Sequence, residues 1–390
     1  MSYQTGIGKV FTLFMFFAAV MLVVSCGPKE RIATSQLDTP EHHTYTGLKL
    51  LAQENYADAQ REFELAIQLD AKYSKGYTGI GLVKIYTGDF DGASDYLKKG
   101  LSKATTDEDR IFVYVSRIRY YTQGQTKVEK KWLKLAKNQF DDVMELDPKN
   151  APAYYFMGLA YKAGLDFNMA GQMFTKVLEL KSEYVAEADV QWNFLQKVQR
   201  AMPGTTTGKQ IALVERLTRA DAAALFMEEL KIDVLYKKRT PKTFDTSFKD
   251  PEKAAAKPVK ITAKDIADHP LKTDIEGILQ LGVRGLENYP DGNFHPGELV
   301  TRAAYAMMLE DILIKVTGDS SLATKFIGTT SPFPDLRADL PYFNAIMTVT
   351  SRGIMEAKDM TTGEFAPLSP VAGVDALLII RKLKDELKFN

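Results

Sequence analysis

The chain has 390 residues, of which 45% are hydrophobic, and its 50 basic residues balance 50 acidic ones at a formal net charge of zero. This length holds two or three domains with sizeable cores, which excludes disorder as the main state, and the absence of net positive charge disfavours nucleic acid as a partner. One cysteine and four histidines exclude an intramolecular disulfide framework and supply too few soft ligands for a structural zinc site. We therefore expect no metal and no cofactor.

The amino terminus has the pattern of an export signal. Lys9 precedes a run of fifteen residues at 10–24, VFTLFMFFAAVMLVV, and the small Ser25 follows it. The run is shorter than the roughly 20 apolar residues that span a bilayer, whereas a positive start, an apolar stretch and a small residue at the cut describe a secretory signal peptide. We expect residues 1–25 to be removed; an uncleaved anchor is the alternative.

The end of this segment, Val23-Val24-Ser25-Cys26, resembles the bacterial lipoprotein signal. The resemblance implies that Cys26 becomes the first mature residue and carries acyl chains, which hold a protein on a membrane. Gly27 stands where an aspartate would mark retention at the inner membrane, so the resemblance favours the outer membrane. Residues 26–39 show no sustained apolar period and are predicted to be a tether.

An internal repeat of 34 residues begins near residue 40. In three copies a glycine is followed at fixed spacing by an alanine, a large apolar residue and a small residue. Spacings of three, four and seven place such residues on one face of a helix. The pattern resembles the tetratricopeptide repeat, which implies a solenoid of paired helices with a concave surface for a peptide or protein. The copies are Gly47, Ala59, Phe63 and Ala66; Gly81, Ala93, Leu97 and Gly100; and Gly158, Ala170, Phe174 and Val177.

A fourth copy, residues 108–150, is longer than the period because its first helix is displaced, and Tyr184 to Met202 forms an amphipathic helix suited to cap the array. The array with its cap is thus predicted over residues 40–202. Four tyrosines are candidates to line the concave surface, with packing inside the repeats as the alternative: Tyr45, Tyr77, Tyr114 and Tyr154.

Beyond a predicted linker at residues 203–210, three helix starts share a pattern: LTRADAAALFMEEL from Leu217, VTRAAYAMMLEDIL from Val300 and LSPVAGVDALLIIRKL from Leu368. The second, with the turn DGNFHP at 291–296 before it, resembles the S-layer homology domain. The resemblance implies a mainly helical, pseudo-three-fold domain over residues 211–390 with one truncated member. The whole chain is therefore predicted to be all-α.

The helix starts contain the candidate glycan-binding residues. Thr218 with Asp221, and Thr301, are predicted to cap their helices. Arg219 and Arg302 place a guanidinium at a helix amino terminus, where the fork of donors and the helix dipole suit a carboxylate or phosphate on a sugar. The resemblance implies binding of peptidoglycan or a charged cell-wall polymer; the alternative is that these five residues only start helices.

The third copy departs from this pattern, because Val371 stands at the position that the sequence spacing assigns to the arginine. At most two of the three sites are therefore expected to bind. A basic insertion at residues 231–260 holds nine basic and four acidic residues. It is predicted to be either a solvated loop or a segment attracted to an anionic wall polymer or lipid surface.

No catalytic motif is present, and the chain is predicted not to be an enzyme. The order of signal, repeat and Thr-Arg-Ala helices predicts a lipid-anchored envelope scaffold, in which the repeats bind a protein and the carboxyl-terminal region contacts the wall. The alternative is an assembly or pilotin-like factor of a secretion, pilus or outer-membrane machine, whose carboxyl-terminal region binds protein instead of glycan.

Overall fold

The computed structural model describes residues 31–239 and 261–389. These residues form 16 α-helices and short 3₁₀ or π turns, and no β-strand lies among them, so the predicted all-α class is confirmed. The chain divides into two compact units, Met1–Trp192 and Asn193–Asn390. The predicted signal peptide, Cys26 and residues 240–260 of the basic insertion lie outside the described residues.

The first unit is a row of helical hairpins. It has four pairs of antiparallel helices, each pair joined by a turn. A ninth helix follows them, and its last residues belong to the second unit. The helices are α1 (Pro40–Ala52), α2 (Tyr56–Leu69), α3 (Ser74–Tyr86), α4 (Phe90–Lys103), α5 (Asp107–Gly124), α6 (Trp132–Leu146), α7 (Ala151–Ala163), α8 (Phe167–Leu180) and α9 (Val185–Ala201).

A glycine packed against a large side chain recurs in these hairpins. Phe63 and Phe174 are fully buried. A Cβ atom added to Gly47 would lie 2.7 Å from the Phe63 ring, and one added to Gly158 would lie 2.6 Å from the Phe174 ring. The glycines therefore let each first helix approach the ring on its second helix, as the predicted repeat requires.

The longer third hairpin takes up its extra residues in its first helix and in the connection to its second helix. Helix α5 has 18 residues, whereas α1, α3 and α7 have 13 each. A capping box at Thr106 and Asp109 starts α5, and Gln125 ends it with a φ of +45°. The displacement predicted for this copy is thus a longer first helix and a longer connection at residues 125–131, which begins with a 3₁₀ turn at Gln125–Lys127.

The described part of the predicted tether is bonded to the array. The backbone N–H of Arg31 donates to the carbonyl of Gln68 at 2.8 Å. The carboxylate of Asp38 accepts from Arg31 and from Thr34, and His43 places its two ring nitrogens 2.8 Å from Asp38 and 2.6 Å from Glu62. These hydrogen bonds, that of His43 first, hold the pKa of Asp38 far below its usual range. Residues 31–39 are therefore a docked segment.

The second unit contains the end of α9 and seven further helices. They are α10 (Thr206–Ala212), α11 (Arg219–Ala224), which continues as a π turn over Leu225–Glu229, α12 (Ile232–Arg239), α13 (Lys272–Leu281), α14 (Arg302–Thr317), α15 (Phe343–Ser351) and α16 (Gly373–Phe389). Helix α10 begins inside residues 203–210, which were predicted to be a linker; Glu229 accepts hydrogen bonds from Gly204 and Thr205 and fixes this start.

Three backbone hydrogen bonds form a ring at the centre of this unit. Val300 donates to Leu217 at 2.9 Å, Val371 donates to Val300 at 3.1 Å, and Leu217 donates to Val371 at 2.7 Å. All three residues are buried and each lies just before one of the three Thr-Arg-Ala-like helix starts. The closed ring relates the backbones of the three segments in the way that the predicted pseudo-three-fold arrangement requires.

Gly158→Ala should destabilise the first unit, because the added methyl group meets the buried Phe174 ring. We expect a loss of about 1–3 kcal/mol in unfolding free energy, the usual cost of overpacking, measured by denaturant unfolding. The double variant Gly158→Ala, Phe174→Leu should lose less unfolding free energy than the sum of the losses of the two single variants. Full additivity of the two changes would contradict the contact.

Asp38→Asn should release the docked segment at neutral pH. A carboxyl group whose folded pKa is lowered stabilises docking above its unfolded pKa of about 3.9, and that contribution declines as the pH falls towards the folded value. Amide exchange at Arg31 and Thr34, corrected for the intrinsic rate, should be faster in the variant at pH 7. The difference should shrink below about pH 4. Equal protection of both chains at pH 7 would rule out this role of Asp38.

Candidate functional site

The ring of backbone hydrogen bonds sets which residues of the three copies are equivalent. Since Leu217, Val300 and Val371 occupy the same place in the ring, the first helical residues that match are Arg219, Arg302 and Gly373. The sequence spacing placed Val371 at the arginine position, which is wrong by two residues. Helix α16 starts at Gly373, and Pro370 lies in an isolated bridge with Thr301.

Gly373 cannot be replaced by an arginine without moving the backbone. A Cβ atom at this position would lie 1.7 Å from the carbonyl oxygen of Ile211, and its N–H donates to the carbonyl of Val214 at 2.8 Å. Residues 211–214, at the end of α10 and just after it, therefore occupy the space beside the third helix start. The third copy lacks the arginine because the protein's own chain fills that place.

The predicted caps are present, and they engage the side chains in backbone bonds. Thr218 accepts from the N–H of Asp221 at 3.2 Å, and the Asp221 carboxylate accepts from the N–H of Thr218 at 2.9 Å. Thr301 accepts from the N–H of Ala304 at 3.2 Å. An alanine cannot return this bond, so the second copy has half of the capping box.

Arg219 points its guanidinium into the protein. Only 6% of the residue is exposed, and its Nε and Nη2 donate to the carbonyls of Phe294 and Glu287 at 2.9 and 2.8 Å. Nη1 donates to the carbonyl of Gly285. The rings of Phe294 and Tyr289 lie 4.7 and 4.9 Å from the guanidinium carbon. Arg219 thereby holds in place the loop from Gly285 to Phe294, which precedes α14.

Arg302 repeats this arrangement in the second copy. Its Nε donates to the carbonyl of Phe365 at 2.7 Å, Nη2 donates to that of Glu356, and the Phe365 ring lies 4.4 Å from the guanidinium carbon. Burial lowers the pKa of Arg302 from its usual value. Each arginine ties its own helix start to the carbonyls of the loop that precedes the next helix start in the chain, which sequence reasoning did not foresee.

An aspartate fixes each of these loops from the other side. Asp265 accepts from the N–H groups of Phe294 and His295 at 2.8 and 2.7 Å. Asp335 accepts from those of Phe365 and Ala366 at 2.9 and 2.7 Å. An arginine bound to loop carbonyls and an aspartate bound to loop amides leave the loop little freedom.

A groove of about 360 Å³ opens beside Arg219. Tyr289 is 39% exposed, and its hydroxyl donates to both oxygens of Glu298, at 2.8 and 3.0 Å. Partial burial and the Glu298 carboxylate raise the pKa of Tyr289. Sequence reasoning missed these groove residues, although an aromatic residue just before the DGNFHP turn was a visible signal. The lining also includes Asn288, Pro290, Leu299, Val300, Ala304 and Met308.

The loop that Arg302 binds differs at the matching turn. The N–H of Gly292 donates to the carbonyl of Tyr289, whereas the N–H of Gly363 donates to that of Asp359, and the next residue, Met360, is 78% exposed. The loops bound by Arg219 and Arg302 therefore share a scaffold but not an aromatic surface.

The first unit has a groove of about 370 Å³ on the inner helices of its hairpins. None of the four tyrosines predicted to line the concave surface lies in it; Tyr45 is 69% exposed, and Tyr77 bonds to the carbonyl of Ala71 at 3.1 Å. Sequence reasoning missed Arg119 here, because nothing in the repeat pattern marks it. The lining comprises Leu48, Leu51, Ala52, Lys75, Glu108, Ile111, Phe112, Val115, Ser116, Arg119, Asn150, Pro152, Phe156, Glu183 and Tyr184.

Two other kinds of site were sought within residues 31–239 and 261–389. No group of histidine, cysteine and acidic residues there has a geometry that could hold a metal ion. In the same residues no helix has the length and apolar character needed to cross a membrane.

Comparison with known families agrees with this division of the chain. The tetratricopeptide repeat model matches residues 151–184, which include α7 and α8. The S-layer homology domain model matches residues 286–306, which include the groove loop and the start of α14. The chain thus contains a tetratricopeptide repeat segment and an S-layer homology segment.

Among solved structures the chain is similar to one described as the crystal structure of YrrB, a TPR protein with an unusual peptide-binding site. The identity is 16% and the TM-score 0.19, over 40% of this chain and 93% of that chain. No curated protein matches the chain.

Gly373→Ala should strongly destabilise the second unit, since the methyl group would collide with the Ile211 carbonyl. We expect a loss of at least about 3 kcal/mol, the upper end of overpacking costs, by thermal or denaturant unfolding. The control is Gly297→Ala, which has no heavy atom within 4 Å of the added Cβ and should change stability by less than about 0.5 kcal/mol. Similar stability of the two variants would refute the filled third site.

Proposed function

We propose that this protein is a cell-envelope lipoprotein that acts as a non-enzymatic scaffold. Cys26 carries the lipid, the first unit binds a protein partner, and the second unit contacts peptidoglycan or an associated cell-wall polysaccharide. The presence of repeats of a protein-binding type and an S-layer homology segment in one chain supports this reading. The lipoprotein-like run at residues 23–26 supports the anchor and an outer-membrane location.

The observation that carries the wall contact is the groove beside Arg219, where an exposed Tyr289 ring stands over a rigid loop. An aromatic ring offers a flat apolar face with a polar edge, to which the apolar face of a sugar ring can pack. The loop is held by Arg219 and Asp265, so binding would cost little conformational entropy.

The charges of the groove favour sugar hydroxyls as its ligands. The guanidinium of Arg219 is already hydrogen-bonded to loop carbonyls. Glu287 and Glu298, which carry carboxylates, also line the groove. Carboxylates accept hydrogen bonds from hydroxyl groups and repel a polyanion. In this proposal Arg219 and Arg302, with the caps Thr218, Asp221 and Thr301, shape the sites, and Tyr289 with Glu298 touches the glycan.

A molecule that is attached both to the membrane and to the wall can function with a weak wall contact. A lipid in the membrane and a groove on the wall act on the same molecule, so the second contact forms at a high effective concentration. A glycan site of low affinity would then still hold the envelope layers together. The tetratricopeptide array would bring its partner to this junction.

The alternative, an assembly or pilotin-like factor, is favoured by a different observation. Both arginines that the S-layer resemblance implicates are buried, and the third position is a glycine against the protein's own backbone. All three helix starts can therefore be explained as structure. In that case the second unit binds protein and does not contact glycan.

Tyr289→Ala should weaken binding to the wall. We expect the mature chain with Cys26→Ser to sediment with purified sacculi, and the Tyr289→Ala form to lose at least about tenfold in affinity, which corresponds to about 1.4 kcal/mol. Loss of ring contact, without loss of the buried arginine bonds, is the physical reason. Quantitative pelleting against sacculus concentration measures it.

The control is Met360→Ala, which removes an exposed apolar side chain from the corresponding turn of the loop that Arg302 binds. It should pellet like the parent chain. If the parent chain does not pellet at all, the wall contact is wrong and the assembly-factor alternative gains. If Met360→Ala and Tyr289→Ala lose binding equally, the groove beside Arg219 is not the site.

A further inference from the structure

We propose that the groove of the first unit binds a protein segment that carries an aspartate or glutamate side chain next to an apolar one, and that Arg119 receives the carboxylate. This rests on the proposed protein-binding role of the repeats and adds the chemistry of the partner. The inference comes from the surroundings of one arginine on the middle inner helix, α5.

Arg119 is held rigidly between aromatic rings. Its Nε donates to the hydroxyl of Tyr86 at 3.0 Å. Its guanidinium carbon lies 5.1 Å from the centre of the Tyr86 ring and 4.5 Å from that of the Phe156 ring. Tyr184 packs edge-on against Phe156, at 5.3 Å between ring centres. The side chain is therefore preorganised by these contacts.

This guanidinium lacks an anionic partner within the described part of the chain. No carboxylate there forms an ion pair with Arg119, and its Nη1 and Nη2 make no hydrogen bond to described residues. The other cation of the groove, Lys75, is paired with Glu108. Arginine presents paired N–H donors that match a carboxylate in a bidentate way. The groove thus offers one unused receptor for an anion.

The charge balance limits the ligand to a single negative group near Arg119. Lys75 and Arg119 are matched in number by Glu108 and Glu183 among the groove residues. A phosphate-rich or polyanionic ligand would meet two carboxylates, whereas one carboxylate pairs with the free guanidinium. The rest of the surface is apolar and suits an aliphatic or aromatic side chain: Leu48, Leu51, Ile111, Phe112, Val115 and Phe156.

The position of Arg119 favours a side chain over a chain terminus. The groove is lined from α1, α3, α5 and α7 and by Tyr184, just before α9. Arg119 lies on α5, in the middle of this series. An extended segment that fills the groove continues past Arg119 in both directions, so the carboxylate at that point belongs to an aspartate or glutamate within the segment.

The test compares two isosteric probes, acetyl-Phe-Asp-amide and acetyl-Phe-Asn-amide, on the full mature chain with Cys26→Ser. Titration to about 20 mM, a range that covers weak fragment affinities, is followed by NMR at the Arg119 Nε–H signal and by calorimetry. We expect the aspartate probe to bind at least about tenfold more tightly than the asparagine probe. Acetyl-phenylalanine with a free carboxylate serves as the chain-terminus probe.

Variants assign the preference to the arginine. Arg119→Gln should bind both amide probes equally, because it keeps a polar side chain with N–H donors and loses the positive charge. Arg117→Gln is the control: it lies on the same helix, bonds to Gln139 at 3.3 Å and is absent from the groove lining, so it should keep the preference. Thermal unfolding of each variant checks that the array is folded.

Four outcomes overturn the inference: no binding of the aspartate probe, equal binding of aspartate and asparagine probes, a preference that survives in Arg119→Gln, or binding of the chain-terminus probe alone. None of them touches the wall contact, which is read separately from sedimentation with sacculi. If the parent chain pellets but shows no aspartate preference, the scaffold proposal stands and the carboxylate receptor is wrong.

Discussion

The second unit depends on the ring of three backbone hydrogen bonds between Leu217, Val300 and Val371. The ring leaves no choice of register, because each residue both donates to and accepts from a neighbour. Once it is closed, the residue two places further along each chain segment must start a helix. Arg219 and Arg302 are thereby placed where a long side chain can reach the carbonyls of the loop before the next helix start, and Gly373 is placed where no side chain fits.

A comparable constraint in the first unit is steric. The repeat pattern was readable from sequence because helix spacing and the need for small residues at close contacts act locally, as at Gly47 and Gly158 against their phenylalanines. The same reasoning failed for the third helix start, since the segment 211–214 that excludes an arginine lies far away in sequence. It failed also for the concave surface, where the predicted tyrosines were chosen by spacing and the groove is instead defined by the mutual approach of several hairpins.

The candidate glycan residues show why residue type alone could not separate structure from function. The sequence correctly predicts the cap formed by Thr218 and Asp221, since a cap is a local interaction. Whether the neighbouring guanidinium faces solvent depends on the loop from Gly285 to Phe294, which turns its carbonyls towards it. An arginine in such a setting donates hydrogen bonds to buried carbonyls and loses its own hydration. These hydrogen bonds make the loop stiff.

In a stiff loop, the buried contacts that fix the backbone are distinct from the exposed residues, which can vary. With the arginine, the aspartate and the ring fixing the backbone, the exposed residues of the turn can differ without disturbing the fold, as Tyr289 in one loop and Met360 in the other illustrate. The first unit follows the same logic at Arg119, whose ring contacts with Tyr86 and Phe156 hold the guanidinium while its outer donors stay unused. In the proposals for both units, the ligand contacts a group that a rigid framework positions and leaves accessible, and for that reason Tyr289 and Arg119 are better tests of function than the buried arginines.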